Sequence, residues 1–69
     1  MKEDIYTTII ADIETDIADL PINDDRDADA LRIEGMLVII SSILFYEREV
    51  TPMEKLRIMS RIHKNLGKL

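Results

Sequence analysis

The sequence predicts an all-α protein of three helices in one small domain, residues 1–69. Three observations support this fold class. Isoleucines recur at every fourth position from Ile5 to Ile17, an apolar run extends from Met36 to Tyr46, and a helix-start signal occupies Thr51 to Glu54. These patterns have helical periods and helical punctuation, and they place the helices at about residues 3–20, 25–48 and 52–67.

The first predicted helix is amphipathic. Its apolar residues fall within an arc of about 140° on a helical wheel, at 100° per residue. Asp12, Asp16 and Asp19 follow one another at i, i+4 and i+7 and form an acidic stripe beside that arc. Pro21 ends the helix, because a residue that precedes proline is pushed out of the α region.

The segment from Asn23 to Ala30 is the most acidic part of the chain and predicts a loop followed by the first turn of the second helix. Asn and Asp are preferred N-caps, and carboxylates in a first turn interact favourably with the helix dipole. A calcium-binding loop is the alternative, because its oxygen ligands recur with a similar spacing. That loop would use Asn23, Asp25, Asp27, Asp29 and Glu34, but it would have Ala28 where the sharp turn needs glycine.

The second predicted helix is apolar around most of its circumference, which two short neighbours would not cover. Charged residues on both sides make the run too short to span a bilayer. A domain of this size also has a small core and here contains no cysteine, so association would add stability. We therefore expect a homodimeric helical bundle that associates through Met36, Leu37, Ile40, Ile43 and Leu44.

The third helix has the most specific start signal in the chain. Thr51 as N-cap, Pro52 at the first position and Glu54 at the third form a capping box. The short connection before it predicts an antiparallel hairpin with the second helix. Four cations on the third helix share one face and form a basic stripe, which consists of Arg57, Arg61, Lys64 and Lys68.

Charge divides the chain into an acidic body and a basic last helix. Residues 1–50 contain thirteen acids and four basic residues, whereas residues 51–69 contain one acid and five basic residues. The acidic and basic stripes could pair with each other within a protomer or across a dimer, or each could meet a separate target. No arrangement of nucleophile, base and orienting group is indicated, and no metal or cofactor site. The sequence therefore favours a binding protein over an enzyme.

The predicted function is that of a regulatory or inhibitory protein-interaction module, which binds a basic protein surface, including one that itself binds nucleic acid. The residues expected to contact the partner form the acidic surface, which consists of Asp12, Asp16, Asp19, Asp24, Asp25, Asp27 and Asp29. A small DNA-associated regulator that uses the basic stripe is the alternative. No signal peptide is recognisable at the amino terminus, so a cytoplasmic location and no membrane partner are expected.

Overall fold

The protein folds into three α-helices without any β-strand. The computed structural model describes all residues, 1–69, and its helices are α1 (Lys2–Ala18), α2 (Arg26–Tyr46) and α3 (Pro52–Leu66). Each helix packs against both of the others. The predicted fold class and the three helices are therefore confirmed. The main differences are at the ends, because α1 stops two residues early and α2 ends at Tyr46, where Glu47 has an extended backbone.

Helix α1 contributes a narrower core face than its isoleucine pattern predicts. Tyr6, Ile10 and Ile13 are buried, whereas the side chains of Ile5 and Ile9 are exposed. The three buried residues of α1 are therefore separated by four and three positions and lie along one side of the predicted apolar arc. The other side of the arc stays at the surface.

Helix α2 is apolar on two faces, and only one of them is covered. Its buried residues recur at intervals of three and four and are Ala30, Ile33, Leu37, Ile40 and Leu44. Other large apolar side chains of the same helix expose about half of their area or more, namely Leu31, Val38, Ile39, Ile43, Phe45 and Tyr46. The two neighbouring helices therefore leave a large apolar face of α2 uncovered.

The predicted self-association residues do not share one surface. Leu37 and Leu44 are fully buried and Ile40 is nearly so, in the core that the three helices form together. Met36 is half-buried against that core, and only Ile43 is exposed. These buried side chains are covered by the chain itself, so an association surface must use other residues of α2.

Helix α3 begins at the predicted cap. The backbone N–H of Glu54 donates a hydrogen bond of 3.2 Å to the side-chain oxygen of Thr51, and Pro52 occupies the first turn. The core-facing residues are Ile58, Ile62 and Asn65. Two further apolar side chains of this helix, Met53 and Leu56, point to the surface.

The three helices form an elongated bundle with extents of 40 × 17 × 15 Å. Its accessible surface is 4978 Å², whereas a compact protein of the same mass exposes about 4,450 Å². Only 12 of the 69 residues are buried, so the core is small. None of the helices has both the length and the apolar character that a membrane-spanning segment needs.

Candidate interaction surfaces

The acidic surface lies where α1 ends and α2 begins. Asp16, from the last turn of α1, and Asp19, its C-cap residue, line a shallow concavity together with Asp29 and Arg32 of α2. Leu20, Pro21 and Ile33 complete its wall. The fold thus brings together three carboxylates of the acidic surface that are up to thirteen residues apart in the chain.

The other acidic residues surround this concavity on the connection and on neighbouring turns. Asp12 precedes Asp16 by one turn of α1, Asp24 and Asp25 lie in the connection, and Asp27 is in the first turn of α2. Six of the seven residues of the acidic surface are exposed, and Asp29 is half-buried. None of their carboxylates forms an ion pair or a hydrogen bond with the rest of the chain.

The connection between α1 and α2 contains a local turn and is not a calcium-binding loop. The side-chain oxygen of Asn23 accepts a hydrogen bond of 2.9 Å from the backbone N–H of Asp25, which is a local Asx turn. From Arg26 onward the backbone is helical, so Asp27, Asp29 and Glu34 are helix residues. A calcium loop wraps its backbone around the ion, and a regular helix cannot do this. No cluster of three or more His, Cys, Asp or Glu residues in the protein has the geometry to hold a metal ion.

The basic stripe does not pair with the acidic stripe. Its residue Arg61 instead forms a bidentate ion pair with Glu14, with Nε to Oε2 at 2.8 Å and Nη2 to Oε1 at 2.5 Å. The side-chain amide of Asn65 donates a further hydrogen bond of 2.8 Å to Glu14. Arg57, Lys64 and Lys68 are exposed and form no ion pair. Within the protomer, one specific contact between α1 and α3 therefore takes the place of pairing between the two stripes.

This contact strongly favours the ionised form of Glu14. Hydrogen bonds from Arg61 and then from Asn65 lower the pKa of Glu14 from 4.5 to about 2, against the opposing effect of burial. The same ion pair raises the pKa of Arg61. Glu14 was not singled out in the sequence, although it lies four residues after the core residue Ile10 and so shares its helix face. A carboxylate on the core-facing side of α1 needs a polar partner, so this position could have indicated a contact with another helix.

A second polar contact joins the start of α1 to the end of α2. The hydroxyl of Tyr6 donates a hydrogen bond of 3.0 Å to Glu47, and the ammonium of Lys2 lies 3.7 Å from the same carboxylate. Burial, followed by the contact with Glu47, raises the pKa of Tyr6, and the hydrogen bond from Tyr6 lowers the pKa of Glu47. This arrangement ties α1 to the end of α2.

Apolar side chains form the remaining candidate surface. Ile5 and Ile9 of α1 line a groove with Ile40 and Ile43 of α2. Beyond this groove, Phe45 and Tyr46 project from the end of α2. Their rings pack edge to face, with the ring centroids 5.1 Å apart.

Comparisons with protein-family models, with curated proteins and with solved structures gave no match to this chain.

Proposed function

We propose that the protein is a non-enzymatic protein-interaction module, regulatory or inhibitory, that binds a basic surface of a partner protein through its acidic surface. The observation that carries this proposal is the set of seven carboxylates that have no ion-pair or hydrogen-bond partner within the chain. Three of them converge on one concavity. A partner that binds nucleic acid would present the arginines and lysines that such a surface attracts.

Unpaired carboxylates at close range repel one another, and this opposes the compact state. A basic partner removes the repulsion on binding. Complementary charge of this kind mainly raises the association rate and the specificity, and both effects weaken as salt screens the charges. The proposed interaction is therefore fast and sensitive to ionic strength.

Charge reversal at matched positions tests the proposal with an arginine-rich peptide as the probe. In one variant Asp12, Asp16 and Asp19 are changed to Lys, and in the control Glu3, Asp4 and Glu34 are changed to Lys. The two variants have the same net charge. Fluorescence anisotropy across a salt series should show a loss of affinity of at least about tenfold for the first variant and a much smaller loss for the control. Equal losses would mean that only net charge matters, and the proposal would be abandoned.

The assembly proposed for this function is a homodimer in which each chain contains an antiparallel α2/α3 hairpin. Two contacts support the hairpin, because each joins the start of one helix to the end of the other. The guanidinium of Arg26 donates to the carbonyl of Leu69 at 3.4 Å, and the ammonium of Lys55 donates to the carbonyl of Phe45 at 3.1 Å. The uncovered apolar face of α2 supports the homodimer.

A DNA-associated regulator that uses the basic stripe remains the second proposal. Three exposed cations without ion pairs favour it, namely Arg57, Lys64 and Lys68. The guanidinium of Arg61 is occupied by Glu14, and the acidic remainder of the chain repels DNA. Affinity for a DNA duplex that falls steeply with salt, and that disappears when all four residues are changed to Ala, would favour this proposal. Absence of binding in low salt would eliminate it.

A further inference from the structure

The exposed side of α2 carries a regular pattern that the core does not use. Its members are separated alternately by three and four residues, which is the spacing of a helix–helix seam. All six are exposed, and together they form the outer face of α2, which consists of Ala28, Leu31, Gly35, Val38, Ser42 and Phe45. This face is distinct from the line of Ile33, Leu37, Ile40 and Leu44 that packs inside the chain.

Small and large residues alternate along the outer face. The small ones are Ala28, Gly35 and Ser42, and the large ones are Leu31, Val38 and Phe45. In an antiparallel pair of these helices, centred between residues 36 and 37, every small residue lies opposite a large one. The facing pairs are Ala28 with Phe45, Leu31 with Ser42, and Gly35 with Val38. A parallel pair would place glycine opposite glycine and leave voids, which close-packed interfaces avoid.

We propose that the outer face of α2 is the surface through which two copies of the chain associate, antiparallel, about a twofold axis between residues 36 and 37. The proposal rests on the homodimer proposed above and identifies the residues that form it. It does not depend on the acidic surface. The paired segment, from Ala28 to Phe45, is about 26 Å long at 1.5 Å per residue.

Gly35 provides independent support. Glycine inside a helix is destabilising relative to alanine, so its presence usually answers a need for close approach. Within the protomer there is no such need, because a Cβ atom added at Gly35 would have no neighbour within 4 Å. In the proposed pair, Val38 of the second copy fills this open space. Gly35 then allows the two helices to approach closely at the centre of the interface.

The helix dipoles of two copies are complementary in the same arrangement. Antiparallel pairing places the positive end of each α2 dipole beside the negative end of its neighbour. A parallel pair would instead place like ends side by side.

The extent of the uncovered surface agrees with a second copy. Val38, Leu31 and Phe45 expose 49%, 68% and 72% of their area. Contiguous apolar patches of more than a few hundred Å² are rare on monomeric proteins and usually mark interfaces.

The test is the absolute mass of the full chain over a range of concentrations, by light scattering after size exclusion and by sedimentation equilibrium. We expect the wild type to be a dimer and Val38→Glu to raise the dissociation constant at least about thirtyfold, as for a central interface residue. The matched control is Leu56→Glu, which introduces the same charge at an exposed leucine on α3 and should leave the dimer intact. Circular dichroism verifies that both variants are helical.

The register is tested by exchanging the central pair. Gly35→Val has room in the protomer and should fold, but it would place valine against Val38 of the second copy and dissociate the dimer. Adding Val38→Gly restores one small and one large residue at each contact, so the double variant should dimerise again. Failure of the double variant to dimerise would overturn the antiparallel register.

The remaining outcomes distinguish the outer face as the interface from the homodimer proposed above. A dimer that persists in Val38→Glu would overturn the outer face as the interface but leave the proposed homodimer standing. A wild-type chain that stays monomeric at every concentration would overturn both. Neither result would affect the binding of basic peptide by the acidic surface.

Discussion

The carboxylate of Glu14 shows how a single residue links α1 to α3 and makes stability depend on pH. Its pKa is lowered to about 2 by Arg61 and Asn65, so the ionised form stabilises the folded state. This contribution is complete above the ordinary pKa of 4.5 and is lost as the pH falls from there to about 2.

Replacement of Glu14 by Gln should therefore lower the free energy of unfolding at pH 7 by about 1 to 2 kcal/mol, a range that allows for partial solvent screening of the pair. Urea denaturation at pH 7 and at pH 3 measures the difference from wild type, which should shrink at the lower pH. Asp12→Asn is the control, because that carboxylate is exposed and has no partner. An equal difference at both pH values would show that the ion pair is not responsible.

At the scale of the helix, the start of α3 depends on one side chain. The Thr51 oxygen accepts the hydrogen bond of the Glu54 N–H, which has no partner inside the helix. We expect Thr51→Ala to lower the free energy of unfolding by about 1 kcal/mol. Thr15→Ala is the matched control, because that hydroxyl bonds to the carbonyl of Ala11 inside α1 and alanine is a better helix former there. Comparison of urea midpoints tests this, and a larger loss for the control would contradict the role of the cap.

At the scale of the whole molecule, stability depends on a core of eleven apolar residues drawn from all three helices and from Val50 in the last connection. Leu37 is completely buried at its centre. Leu37→Ala should cost about 2 to 5 kcal/mol, which is close to the whole stability of a domain this small, roughly 3 to 5 kcal/mol.

We therefore expect Leu37→Ala to be largely unfolded at low concentration, as measured by circular dichroism in a urea titration. Leu56→Ala removes the same side chain from an exposed position and should change the free energy of unfolding by less than about 0.5 kcal/mol. If Leu37→Ala retained the wild-type midpoint, the arrangement of the core would have to be revised.

Features that depend on neighbouring residues were predictable from the sequence. The three helices, their approximate ends and the Thr51 cap all follow from residue spacing and local hydrogen bonding. The exposure of the acidic surface was also expected, since charged side chains stay solvated unless they are paired. Its role in binding a partner remains a prediction.

Features that depend on residues far apart in the chain were not predictable. Glu14 and Arg61 are 47 positions apart, and nothing local marks one as the partner of the other. Helix α2 is apolar on nearly every side, so its periodicity favours no single core face. The choice of the line from Ile33 to Leu44 was made by contact with α1 and α3.

The sequence by itself thus determined which segments are helical, where they begin and where charge accumulates, because these properties arise from interactions within a few residues. Only the tertiary structure decided which face of α2 is covered, which acids converge beside Arg32 and which cation is neutralised by Glu14. The physical reason is that packing selects among faces that are nearly equivalent in local terms, and the selected contacts join residues from different helices.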